Sequence, residues 1–234
     1  MSSTDTPTDA EDAAPATDDA REALLATITG LVGDAIVASH TEVGRELVIR
    51  VSPQAWKHTH KQLRDHAGLR FFEFLSAIDW LPSPFGKSED ASVDVGSLVT
   101  MVEDAGEPEP GYAGGSGRFQ VFTRLVDITS ENSLGVVIKT DVDDPRDDPD
   151  GGGQLESLIP VFPGANWHER ETHEMFGIRF SGHPYLENLY LPTEFEGNPL
   201  RKDFPLLARH VKPWPGIVDV EPMPDEDDDE GDAD

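Results

Sequence analysis

Six prolines punctuate residues 184–215 of this 234-residue chain, at Pro184, Pro192, Pro199, Pro205, Pro213 and Pro215. Each lacks a backbone donor and fixes its own φ, so this density forbids both a long helix and a central strand. The same stretch keeps its large apolar groups, among them Phe180, Tyr185, Leu189, Tyr190, Leu191, Phe195, Leu200, Phe204 and Trp214. An extended segment that is apolar but cannot bury itself locally predicts a strap laid against a partner protein.

The charge is lopsided: 46 Asp and Glu against 18 Lys and Arg give a formal net charge of −28. Residues 1–18 are Ser, Thr, Asp, Ala and Pro with almost no large apolar group, and residues 219–234 hold ten acids. Neither stretch can offset the entropy of ordering, and both read as disordered acidic tails. The surplus sign argues against binding nucleic acid through its phosphates. No run of about 18 apolar residues is present to span a membrane. The N-terminus has no basic and apolar pattern of a secretory signal. With no cysteine, the chain cannot supply disulfides, thiolate-bound iron–sulfur clusters, Cys-ligated zinc or a Cys nucleophile.

Between the tails the pattern predicts an α+β domain over 19–140. A helix starts near Asp18 and Asp19 and carries Leu24, Leu25, Ile28, Leu31 and Val32 on one face, with Gly33 as its stop. Residues 35–39 and 46–51 read as a hairpin. Ser52-Pro53 reads as a helix start, Ser capping, for a helix over 53–66 with Trp56 and Leu63 inward. On that helix His58, His60 and His66 are expected on the solvent side. Strands are expected over 69–79, 95–102, 118–128 and 135–140, with a glycine-rich hairpin tip at 103–117. An acidic Gly/Pro linker follows over 141–153, then a short helix at 154–158, a helix at 166–176 and the strap, together spanning 154–218. The fold expected is α+β: helices on one face of a mostly antiparallel sheet, followed by a short helix and an extended proline-rich C-terminal strap.

Residues 168–174 read HERETHE and invite a zinc-protease reading. His168 and His173 are five apart, ~140° around a helix at about 100° per residue, so they cannot share one metal-binding face. Glu171 and Glu174 do share a face, and with His173 they could form a hydrolase acid–base set. The alternative is an ion-pair network docking the helix against the strap or another chain, which the lack of an accompanying nucleophile, phosphate loop or metal cluster favours.

The run from Trp167 through Leu186, WHERETHEMFGIRFSGHPYL, followed by EGNPLRKDFPL ending at Leu206, resembles the 30-kDa subunit family of respiratory complex I. This family is the C subunit of the bacterial proton-translocating NADH:quinone oxidoreductase. The matching positions are Glu169-Arg170-Glu171, Glu174, Met175, Phe176, Gly177-Ile178, Phe180, Gly182-His183-Pro184 and Pro199 through Pro205. Glu187-Asn188 stand where the family often has a basic residue, and Asn198 where His is common. The resemblance implies a cofactor-free, non-catalytic subunit of the cytoplasmic arm, peripheral on the membrane through its complex. FMN, iron–sulfur clusters and quinone would be held by partner subunits, chiefly the quinone-pocket subunit and the terminal-cluster subunit. It also implies partner contacts through Glu169, Arg170, Glu171, Glu174, Phe176, Gly177, Phe180, Gly182, His183, Pro184, Pro199, Leu200, Arg201, Lys202, Asp203, Phe204, Pro205 and Trp214. A homologous subunit of a membrane-bound hydrogenase or an F420H2-type dehydrogenase would carry the same motif.

Overall fold

The computed structural model describes residues 18–83, 106–129, 133–146 and 153–204. Helix α1 (Asp19–Val32) opens with Asp18, whose carboxylate accepts the Arg21 N–H, where a negative group suits the helix's positive end. Its Ile28 and Val32 are buried, and Leu24, Leu25 and Leu31 pack beside them. Strands β1 (Ile36–His40) and β2 (Leu47–Val51) pair antiparallel as the hairpin pattern predicts. Pro53–Ala55 forms a 3-10 turn before α2 (Trp56–His66). The Ser52 side chain makes no capping hydrogen bond there; its backbone carbonyl accepts the Ala55 N–H at 3.0 Å instead.

Strands β3 (Phe71–Asp79), β4 (Phe119–Val126) and β5 (Gly135–Val142) complete a five-stranded sheet in the order β1-β2-β5-β4-β3. Three of its pairings are antiparallel, and β2 runs parallel to β5. Alternate residues line one buried face: Leu47 and Ile49, Val136 and Ile138, Val121 and Leu125, Leu75 and Ala77. These side chains share one apolar cluster with Ile28 of α1, with Trp56 and Leu63 of α2, and with Ala165 and Phe176 further along the chain. The helices thus lie on one face of a mostly antiparallel sheet, an α+β fold.

Three expectations change. Residues 154–158 do not form a helix. Gln154–Glu156 is strand β6, paired parallel with β7 (Arg179–Ser181). Its alternation of exposed Gln154, buried Leu155 and exposed Glu156 suits a ribbon that covers the core. His60 is fully buried rather than solvent-facing, one turn from Trp56 and one from Leu63. Strand β5 runs two residues into the stretch read as a linker. The expected strand at 95–102 and both acidic tails, apart from Asp18, lie outside the described residues.

Candidate functional site: the helix after β6 and its strap

Helix α3 (Ala165–Phe176) carries the HERETHE run. Its inner side buries Glu169, whose carboxylate accepts the Leu158 N–H at 2.6 Å and the Ser157 hydroxyl at 2.7 Å. Burial outweighs those two donors and pushes this carboxyl up to about 7. One residue on and facing the strap, Arg170 donates to the carbonyls of Glu187 and Asn188, both at 2.8 Å. Its guanidinium lies 5.2 Å from the centre of the Tyr185 ring. Four residues later Glu174 completes the grip. Its carboxylate accepts the backbone N–H groups of Leu189 at 3.0 Å, of Tyr190 at 3.1 Å and of Leu191. Burial acts to raise this carboxyl, but those three donors and the nearby Arg170 hold it below its ordinary value.

The i, i+4 pair Arg170 and Glu174 therefore binds the carbonyls and then the N–H groups of one strap turn. Prolines cannot place that turn in a sheet, so side chains supply the missing hydrogen bonds. His183 adds a further tie. Its Nε2 donates to the Asn166 carbonyl at 3.1 Å and its Nδ1 accepts the Tyr185 N–H at 3.0 Å, an arrangement that requires a neutral ring. Burial lowers its pKa in the same direction.

The end of α3 is closed from a distance. A helix leaves its last four carbonyls without partners inside itself. Here the His173 carbonyl accepts the Gly177 N–H at 2.8 Å. The Glu174 carbonyl accepts Asn198 Nδ2 at 2.8 Å, the Met175 carbonyl the Leu200 N–H at 3.1 Å, and the Phe176 carbonyl Arg201 Nη1 at 2.9 Å. Gly177 sits in the left-handed region at φ +84°, and a Cβ there would stand 3.0 Å from Asn198 Oδ1. Only glycine serves both the turn and the close approach.

Arg201 also joins a buried charge cluster. It reaches Asp144 and Asp203. Arg118 binds Asp79 at 2.6 Å and Asp203 at 3.1 Å, and Arg146 binds Asp144 at 3.0 Å and also Asp203. Asp79 further accepts the Leu81 and Lys202 N–H groups at 3.0 and 2.8 Å. The guanidinium groups of Arg118 and Arg201 lie 4.7 and 4.5 Å from the centre of the Phe119 ring. Burial opposes ionisation of Asp144 and Asp203, but Arg146 and Arg201 around the first, and Arg118 and Arg146 around the second, hold both below the usual carboxylate range. Three arginines and three aspartates thus clasp 201–203 onto the sheet.

Most residues singled out from the sequence meet inside this assembly. Glu169, Glu174, Phe176, Phe180, Arg201 and Asp203 are buried within the chain itself. Gly182, Pro184, Leu200 and Lys202 are exposed, and Glu171, Pro199 and Phe204 are half-buried. Phe204 packs 6.0 Å from Phe195. Pro205 and Trp214 lie outside the described residues. The hydrolase trio does not converge. Glu174 is occupied by backbone donors, and His173 Nδ1 donates to the Ile178 carbonyl at 2.8 Å. Among the described residues no group of His, Asp and Glu is arranged to hold a metal ion. Sequence reasoning missed Asp79, Arg118, Asp144 and Arg146, which carry no local spacing signal because they meet only through the sheet's register.

Comparison with known proteins places this assembly. The family described as the respiratory-chain NADH dehydrogenase 30 Kd subunit matches residues 49–210. The NADH-quinone oxidoreductase C subunit of Roseiflexus sp. (strain RS-1) is 32% identical over 190 residues, covering 80% of this chain and 86% of that protein. The NADH-quinone oxidoreductase C/D subunit of Photorhabdus laumondii is 41% identical over 96 residues, which is 41% of this chain and 15% of the relative. A chain from the structure of the membrane-bound sulfane sulfur reductase, an archaeal respiratory membrane complex, shares the fold with a TM-score of 0.55 at 18% identity. That match covers 80% of this chain and 86% of the other. The matched family takes in the sheet from β2 onward, α3 and the capping segment alike: the chain belongs to the 30-kDa subunit family, the C subunit of NADH-quinone oxidoreductase.

Proposed function

We propose that this chain is a non-catalytic, cofactor-free brace in the cytoplasmic arm of its oxidoreductase, in contact with the quinone-pocket subunit and the terminal-cluster subunit. Electrons pass from NADH through FMN and iron–sulfur clusters of other subunits to quinone, coupled to proton translocation. This chain holds those subunits in register and meets the membrane only through them. The observation that carries the proposal is the use made of α3: Glu169, Arg170 and Glu174 are bound to backbone groups of their own chain, while aromatic side chains beside them point outward. That is how a rigid scaffold is built, with ionisable groups fixing the shape and apolar groups left for a neighbour. No helix among the described residues is long and apolar enough to cross a membrane. The Photorhabdus relative, named the C/D subunit, supports close association with another subunit.

The test is purification through an affinity tag on this chain from detergent-solubilised host membranes. The tagged chain is expected to bring NADH:quinone oxidoreductase activity with it, and deleting its gene to remove that activity from membranes. Recovery of the chain alone, with activity remaining in the untagged fraction, would refute the proposal.

A further inference from the structure

Three aromatic side chains along α3 and the strap remain largely open to solvent: Trp167 at 69%, Tyr185 at 61% and Tyr190 at 66% of full exposure. They follow one edge of the helix. Trp167 adjoins Asn166, whose carbonyl holds His183. Tyr185 lies under Arg170, and the Tyr190 N–H is bound by Glu174 one turn further on. Their backbones are therefore fixed, so covering the rings would order little that is not already ordered. A side chain of this kind can bury about 150–250 Å² in all, and roughly two thirds of that is still open to a partner here.

The strap segment that carries the two tyrosines has charge of one sign. Residues 182–200 contain Glu187, Glu194 and Glu196 and no Lys or Arg. Those three acids are exposed, and among the described residues no hydrogen bond or ion pair engages their carboxylates. Arg170, whose guanidinium lies over Tyr185, is already bound to strap carbonyls. A second copy of this chain would bring the same acids and a net charge of −28, and nucleic acid would bring phosphates, so both are repelled.

We infer that this aromatic, acid-rimmed side of the strap is the docking face for a Lys- and Arg-bearing surface of another subunit, an inference that rests on the assembly proposed above. Lysine and arginine match both features, pairing with the carboxylates and stacking their cationic heads on the rings.

The test places a photo-crosslinking benzoylphenylalanine at Tyr190 in the full chain, within host membranes, and identifies the joined peptides by mass. The expected adduct is with a Lys- or Arg-containing peptide of a different subunit. Its yield should fall severalfold when salt rises from about 0.1 M to 1 M, and likewise in the triple variant Glu187→Gln, Glu194→Gln, Glu196→Gln. Adducts confined to this chain, to a second copy or to an acidic peptide, in a complex that retains the chain, would overturn the docking face and leave the assembly standing. A chain absent from the purified complex would overturn both.

Discussion

Glu169 and Glu174 stand five residues apart on α3, and their surroundings pull them in opposite directions. Glu169 is raised to about 7 by burial, so its folded pKa exceeds the unfolded value. The stability it lends is fully present below pH 4.5 and is lost as pH rises through 7, about 3 kcal/mol in all. His60 does the reverse. Burial lowers it to about 4, with Nδ1 donating to the Trp56 carbonyl and Nε2 accepting the Thr123 hydroxyl, both at 2.7 Å. Its contribution is present above pH 6.5 and is lost as pH falls through 4, again about 3 kcal/mol. The windows overlap between pH 4.5 and 6.5, where the two slopes oppose each other. Urea midpoints of Glu169→Gln should therefore rise with pH across that window more steeply than wild type, and those of His60→Gln should fall with pH. Parallel curves for all three proteins would refute the assignment. Glu174→Ala strands three strap N–H groups and should cost about 3 kcal/mol, with new protease cleavage near 185–191. Glu171→Gln, at a half-buried position, should stay within about 0.5 kcal/mol. His60 was legible in the sequence after all: Trp56, His60 and Leu63 fall at i, i+4 and i+7, a single helical face. A polar residue type masked the period.

Among the elements, α1, the first hairpin, β4, β5 and α3 follow from local pattern to within a residue or two, because each has its own periodicity and a turn residue at its end. Strand β6 does not. Its three residues are a strand only because Arg179–Ser181 runs beside them, and no window around Gln154 contains that information. The strap is instructive in a different way. Its prolines correctly forbid helix and sheet, but the partner that satisfies residues 187–191 and 198–201 is this chain's own α3. The i, i+4 placement of Arg170 and Glu174 was visible, and their ligands were not. Because Gly177 combines a positive φ with contact to Asn198, Gly177→Ala should lower stability by about 1–2 kcal/mol. It should also expose 198–204 to proteolysis before the sheet unfolds. Cleavage appearing first between β4 and β5 would show that the cap is not the weak point.

For the molecule as a whole, two populations of charge behave differently. The net −28 repels itself, so added salt should stabilise the fold. A thermal midpoint rising by roughly 3 °C or more between 0.05 and 1 M sodium chloride is expected, corresponding to about 1 kcal/mol; a falling midpoint would mean that attractive surface pairs outweigh the repulsion. The clasp of Arg118 and Arg201 with Asp79, Asp144 and Asp203 is largely buried and so less screened by salt than the exposed charges, Arg146 being its exposed member, and it responds to acid. Asp144 and Asp203 are both depressed, so their contribution is present above pH 3.8 and is lost as pH falls through their folded values. The sheet order has a temporal meaning as well. Strand β5 sits at the centre, yet it is translated after β1, β2, β3 and β4. The N-terminal hairpin and the β3–β4 pair must wait on the ribosome as two unjoined halves until residues 135–142 emerge between them. Nascent chains halted before that point should remain ready prey for chaperones, and release of β5 should seal both halves in a single event.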